Sequence, residues 1–172
     1  MCLGNLLFMA LLAQSVTTPA GDVYAPLRLY NGSWSVMRKD AAAGAKPDLL
    51  VNKCALLGQY FACAQNVNGK PGALIVFIPA DNAGRFFVQN VMPEGRATGR
   101  SDLQISGDEW TYSDRRDQDG KTTFYRTINK FSGKDRIHFE SSESSDRNQW
   151  KVTMSGDEER VSGVRTNRAS AR

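Results

Sequence analysis

The sequence of 172 residues contains one histidine, His138, and three cysteines. Zinc sites are built from four or so Cys and His ligands, so this composition speaks against one. The chain also lacks a Gly-x-Ser-x-Gly nucleophile elbow, a Ser-His-acid set with an inward histidine, and phosphate-binding glycine loops. Alternation with Ile137 and Phe139 directs His138 away from the interior, which speaks against a haem ligand. We therefore predict no catalytic residues, no metal and no cofactor.

Charge is missing from residues 1–20, and residues 3–13 form an apolar run that ends in small residues. This length is typical of a signal peptide, although no Lys or Arg precedes the run. It is too short to span a bilayer, which takes about 20 apolar residues. We predict a signal peptide at residues 1–20, a secreted or periplasmic protein, and no integral membrane segment after cleavage. A buried N-terminal helix is the alternative.

The net charge of +4 comes from four arginines, which are the only charged residues in the segment 160–172. The rest of the chain is neutral, so no basic face indicates a nucleic-acid partner. The segment 160–172 has few apolar residues and is predicted to be a disordered basic tail. Weak contact with an anionic envelope surface is the alternative for the tail.

No helical period of useful length follows Leu29, whereas short apolar segments and tight turns recur throughout the chain. The pattern at residues 25–29 predicts a single helical turn. The pattern predicts an all-β domain at residues 21–159, with about ten antiparallel strands closed into an up-and-down barrel. A β-sandwich is the alternative, and we expect a monomer.

A turn at Gly58-Gln59 places Cys54 directly opposite Cys63 on a hairpin, at a non-hydrogen-bonded pair where the Cα atoms approach closely. Such a pair can form a disulfide, and an oxidising compartment favours it. Cys2 lies in the predicted signal peptide, which leaves an even number of cysteines. Two buried free thiols are the alternative.

Turn signals also set the pairing of the later strands. A two-residue turn at residues 106–107 sets Leu103 opposite Trp110, and a three-residue loop at residues 118–120 sets Tyr112 opposite Arg126. A two-residue turn at Asp119-Gly120 would move Arg126 to the other face. We choose the longer loop because it unites the aromatic residues on one face.

The same face continues along the last two strands. A turn at residues 132–133 places Ile137 opposite Ile128 and Phe139 opposite Arg126, and the final strand adds Trp150, Val152 and Met154. The predicted ligand-binding walls are therefore four aromatic residues, Trp110, Tyr112, Phe139 and Trp150.

Arg126 is the most informative residue on this face, because a buried guanidinium is costly unless it is paired. Its partner could be the carboxylate or phosphate of a ligand, with Tyr112 donating to the same oxygen. The alternatives are an internal ion pair or stacking on an aromatic ring. Arg38 is a second candidate, because strand alternation places it on the same face as Trp34 and Val36.

Two strands near the middle of the chain are apolar on both faces. Burial beneath the N-terminal segment would cover the outer face. Otherwise an exposed patch around Ile75, Phe77 and Phe87 would be a partner site.

The stretch Tyr30-Asn31-Gly32-Ser33-Trp34 resembles the Gly-x-Trp signature of lipocalins and fatty-acid-binding proteins. The resemblance implies a barrel that holds a small apolar or fatty-acid-like ligand, with Arg160 packing across Trp34. Residues 40–48 are too few for the two-helix lid of fatty-acid-binding proteins. The sequence thus predicts a binding protein for a small apolar ligand, with or without an anionic group. The alternative is a filled barrel that binds a protein or an envelope component through its outer patch.

Overall fold

Ten antiparallel strands follow one another around a closed barrel in the computed structural model, which describes residues 22–80 and 84–162. Each strand pairs with its neighbours in the chain, and the first strand pairs with the last. The strands are β1 Gly32–Arg38, β2 Asp48–Leu57, β3 Tyr60–Val67, β4 Lys70–Pro79, β5 Arg85–Val91, β6 Ser101–Ser106, β7 Glu109–Gln118, β8 Lys121–Ser132, β9 Arg136–Ser144 and β10 Lys151–Arg160. The predicted all-β barrel is confirmed.

A short 3₁₀ helix, Pro26–Tyr30, precedes β1 at the place where the sequence predicts a helical turn. The predicted signal peptide lies outside the described residues. The predicted tail at residues 160–172 is described only to residue 162, and its first residue, Arg160, is the last residue of β10. Among the described residues, no helix is long and apolar enough to cross a membrane.

The β2–β3 hairpin has the predicted register. Leu57 pairs with Tyr60, and Cys54 lies opposite Cys63 with a Cα–Cα distance of 4.0 Å. A disulfide joins the two cysteines, as predicted. The bridge is placed by the turn alone, because a two-residue loop fixes every pair along the hairpin.

Aromatic side chains fill one end of the barrel. Tyr24 stacks on Phe61 at a centroid distance of 5.8 Å, and Leu27 of the 3₁₀ helix is fully buried. Trp110 packs 4.5 Å from Phe131 in the same core. The N-terminal segment therefore closes the end of the barrel rather than covering its outer surface.

Arg160 links several segments at this end of the barrel. Its guanidinium lies 4.2 Å from the centre of the Trp34 ring and donates hydrogen bonds to the carbonyls of Leu29, Asn31 and Lys134, at 2.8, 2.8 and 2.9 Å. Gly32 has φ +129°, and a Cβ there would lie 2.6 Å from an Arg160 nitrogen. Only glycine accommodates both this backbone and this contact.

Side chains alternate between an inner row, which faces the barrel interior, and an outer row. Ile75 and Phe77 belong to the inner row, since Phe77 is fully buried and both line the interior. The predicted outer patch is therefore wrong for these two residues. Phe87 is in the outer row, where the Arg100 guanidinium lies 4.2 Å from the ring centre.

The predicted β7–β8 register is wrong. Gln118 pairs with Lys121, so the connection is the two-residue turn Asp119-Gly120, and both residues have positive φ. Tyr112 consequently lies opposite Thr127, while Arg126 lies opposite Ser113. Turns with two positive φ values match the twist of paired strands, and Asp-Gly suits them.

Two other predicted pairings also differ, and the last strand contains an irregularity. Ile105, not Leu103, lies opposite Trp110. Because Ile105 and Leu103 are two residues apart, both still share one face of the sheet with Trp110, as predicted. Phe131, not Ile128, lies opposite Ile137, so the face of β8 is inverted relative to the prediction. An irregularity between Val152 and Met154 shifts the register of β10.

Candidate ligand-binding cavity

The barrel interior contains two adjoining lobes. The wider lobe has a volume of about 370 Å³ and extends to Arg116 and Tyr125, and the inner lobe has a volume of about 190 Å³. The side chains shared by both lobes are Asn90, Ser101, Tyr112 and Asn129. The wider lobe alone falls within the roughly 300 to 1,000 Å³ of small-molecule sites.

Polar side chains from several strands line the inner lobe. Asn52 comes from β2, Asn90 from β5, Asn129 from β8 and Glu158 from β10, while Tyr30 enters from the end of the 3₁₀ helix. The apolar part of the wall consists of Leu50, Ile75, Phe77, Val88 and the disulfide-bonded Cys63, and Gln65, Ser101 and Tyr112 complete the lining. The inner lobe therefore suits a molecule with both polar and apolar parts.

Three of these side chains form a hydrogen-bonded cluster. The Tyr30 hydroxyl accepts hydrogen bonds from the Tyr112 hydroxyl at 2.9 Å and from the Asn129 amide at 2.6 Å. Burial raises the pKa of Tyr30 above its ordinary value, partly opposed by the hydrogen bond from Tyr112, while the Glu158 charge acts in the raising direction. Burial is also the main reason why the pKa of Tyr112 is raised. Both tyrosines are therefore neutral donors and acceptors at neutral pH.

Glu158 is the only acidic side chain that lines the inner lobe within the described residues. On the neighbouring strands it lies opposite Val36 and Ile137, neither of which offers a polar partner. No hydrogen bond or ion pair to its carboxyl forms within residues 22–80 and 84–162. Burial raises the pKa of Glu158 to about 7. The carboxyl can therefore change its charge near neutral pH.

Five buried side-chain atoms of residues that line the two lobes have no hydrogen-bond partner among the described residues. They are Oδ1 of Asn52, Asn90 and Asp114, Nε of Arg126 and Oγ of Ser142. Buried polar groups in folded proteins are nearly always hydrogen-bonded, because an unmet group costs about 1 to 3 kcal/mol. The set contains acceptors, a donor and a hydroxyl, so it does not by itself select one kind of ligand.

Two of the six residues predicted to bind a ligand border this cavity. Tyr112 lines both lobes. Arg126 borders the wider lobe, but by alternation it belongs to the outer row with Ser113 and Ser142. Its guanidinium lies 4.2 Å from the centre of the Trp150 ring. This contact is the stacking alternative considered for Arg126.

The other four lie elsewhere. Trp110 and Phe139 are buried in side-chain packing rather than in a lobe wall, and the Phe139 ring covers Gly156. Trp150 is in the outer row against Arg126. Arg38 is exposed at the end of β1 and pairs with Asp40.

Sequence reasoning missed the polar inner row, because it searched for the face that unites apolar residues. Two signals would have found it. The Asp119-Gly120 turn places Asn129 beside Trp110, and an Arg160 that packs on Trp34 places Glu158, two residues earlier, on the same face.

The described residues contain no group of three or more His, Cys, Asp or Glu side chains that could hold a metal ion. His138 is in the outer row, as predicted, and its ring bonds to Asp157 at 2.7 Å. No protein-family model matches the chain, and no curated protein matches it in sequence.

Proposed function

We propose that this chain is a lipocalin-like binding protein that holds a small, donor-bearing organic molecule inside its barrel. The observation that supports this proposal most strongly is the Glu158 carboxyl, an acceptor that lines the inner lobe and has no hydrogen-bond partner among the described residues. An apolar ligand, such as the sequence suggested, would leave this carboxyl without a donor. A ligand with N–H or O–H groups would satisfy it.

The barrel itself is compatible with a calycin-like fold. The packing of Arg160 across Trp34 agrees with what the resemblance to lipocalins implies, and it supports the family assignment that we propose. The Cys54–Cys63 disulfide supports a location outside the reducing cytoplasm, in a secreted or periplasmic setting.

Native mass spectrometry of protein purified from its own host tests this proposal. Ser101 borders both lobes, so Ser101→Phe is expected to obstruct the cavity. Ser106 is exposed at the other end of β6, and Ser106→Phe is the matched control. We expect wild type and the Ser106 variant to retain a small molecule that the Ser101 variant has lost.

Identical ligand content in all three proteins would contradict the proposal, and so would a wild type without any retained molecule after gentle purification. The folding of each variant is checked by the near-ultraviolet signal of the buried Trp34 and Trp110.

A further inference from the structure

We propose that the inner lobe binds the positively charged nitrogen of a small organic amine, with the Glu158 carboxylate as its counter-ion. This inference rests on the function proposed above and narrows its ligand to a chemical class.

The first argument is charge. Glu158 lines the inner lobe, and none of the other described residues that line it is Lys, Arg or His. Its neighbours across the sheet, Val36 and Ile137, leave the carboxyl without an internal partner. A buried carboxylate is costly unless a cation compensates it, so a bound ammonium would stabilise the ionised form.

The second argument is the hydrogen-bonding character of Glu158. Its carboxyl receives no hydrogen bond from the described residues. A protonated primary amine carries three N–H donors and no acceptor. It therefore complements this carboxylate, whereas the like charge of a carboxylate ligand would be repelled by it.

The third argument is the remaining wall. Aromatic rings of Tyr30, Phe77 and Tyr112 surround the same space, and such rings attract cations when the cation is desolvated. Leu50 and Val88 add apolar surface for a hydrocarbon body. The geometry thus points to a primary amine attached to a compact apolar group.

Isothermal titration with benzylamine, benzyl alcohol and benzoate tests the inference, because the three probes share a ring and differ in the charge of the head group. We expect wild type to bind benzylamine at least about tenfold more tightly than benzyl alcohol, a difference of about 1.4 kcal/mol, because only the amine can neutralise the unpaired Glu158 carboxylate. Benzoate is expected to bind most weakly.

Glu158→Gln is expected to abolish the preference for benzylamine over benzyl alcohol. Glu159→Gln is the matched control, because Glu159 is the next residue on β10 and its side chain is 66% exposed. It is expected to bind all three probes as wild type does.

Equal binding of benzylamine and benzyl alcohol by wild type would overturn the amine inference, while the proposed binding function would stand. Preferential binding of benzoate would overturn it in the same way and would restore the anionic ligand suggested by the sequence. No binding of any probe at tens of millimolar would overturn the amine inference and would also count against a ligand-binding interior.

Discussion

Replacement of Glu158 by Gln is expected to stabilise this protein above neutral pH. The folded protein holds the Glu158 proton more tightly than the unfolded chain does, because burial raises the pKa of this carboxyl from 4.5 to about 7. Between those two pH values the native state binds more protons, so the free energy of unfolding falls as pH rises. The stability that the protonated Glu158 carboxyl contributes is fully present below the unfolded-state pKa of 4.5 and is lost as the pH rises through the folded-state pKa of about 7.

The size of the effect follows from the difference between the two pKa values. At about 1.36 kcal/mol per pKa unit, ionisation of Glu158 costs the folded state about 3 kcal/mol at high pH. Gln resembles the protonated acid in shape and has no charge. Glu158→Gln should therefore match wild type near about pH 4 and exceed it by about 3 kcal/mol near about pH 8, which corresponds to roughly 6 to 12 °C in melting temperature.

Urea unfolding across this pH range measures the effect, with the fluorescence of the buried Trp34 and Trp110 as the signal. Glu159→Gln is the control for removing a carboxylate from β10. Glu159 is exposed and pairs with Arg136 at 3.6 Å, so its loss should change stability by less than about 1 kcal/mol at any pH. Parallel pH profiles for wild type and Glu158→Gln would refute the reasoning, because they would mean that Glu158 is solvated or paired in the folded state.

Two further predictions concern the arginines. Arg160→Met should lower the free energy of unfolding by about 3 kcal/mol, since it removes three hydrogen bonds to backbone carbonyls. Arg160→Lys should recover little of this loss, because an ammonium lacks the fork of donors that a guanidinium has. A urea midpoint equal to that of wild type for either variant would contradict this role. Arg126→Met should lower the free energy of unfolding by about 1 kcal/mol or less. Among the described residues, the guanidinium of Arg126 makes no hydrogen bond or ion pair and stacks on the Trp150 ring. A loss of 3 kcal/mol or more in thermal unfolding would instead reveal a buried ion pair.

Local turn chemistry determined part of the fold. The Gly58-Gln59 turn fixes the β2–β3 register, so the opposition of Cys54 and Cys63 could be read from the sequence. The count of strands could be read as well, because short apolar segments separated by turn residues do not depend on distant contacts.

The candidate site could be predicted only in part, because its walls come from strands that are far apart in the sequence. Tyr112 was identified, since its aromatic ring fits an apolar pattern. Asn52, Asn90 and Glu158 were not, because a polar residue in an inner row breaks the alternation on which the prediction depends. Polar inward residues become recognisable only when the neighbouring strands show which face is enclosed.

The sequence by itself determined the all-β class, the disulfide and the Gly32-x-Trp34 entry to the first strand, since each depends on residues close together in the chain. The sequence left two lengths open for the β7–β8 turn, and the tertiary structure decided between them and therefore decided which face of β8 points inward. One residue more or less in a turn, or one irregularity such as that between Val152 and Met154, reverses a strand's faces. Closure of β10 against β1 then brings Glu158 to the same cavity as Tyr30, because only pairing of the first strand with the last joins the two ends of the described chain.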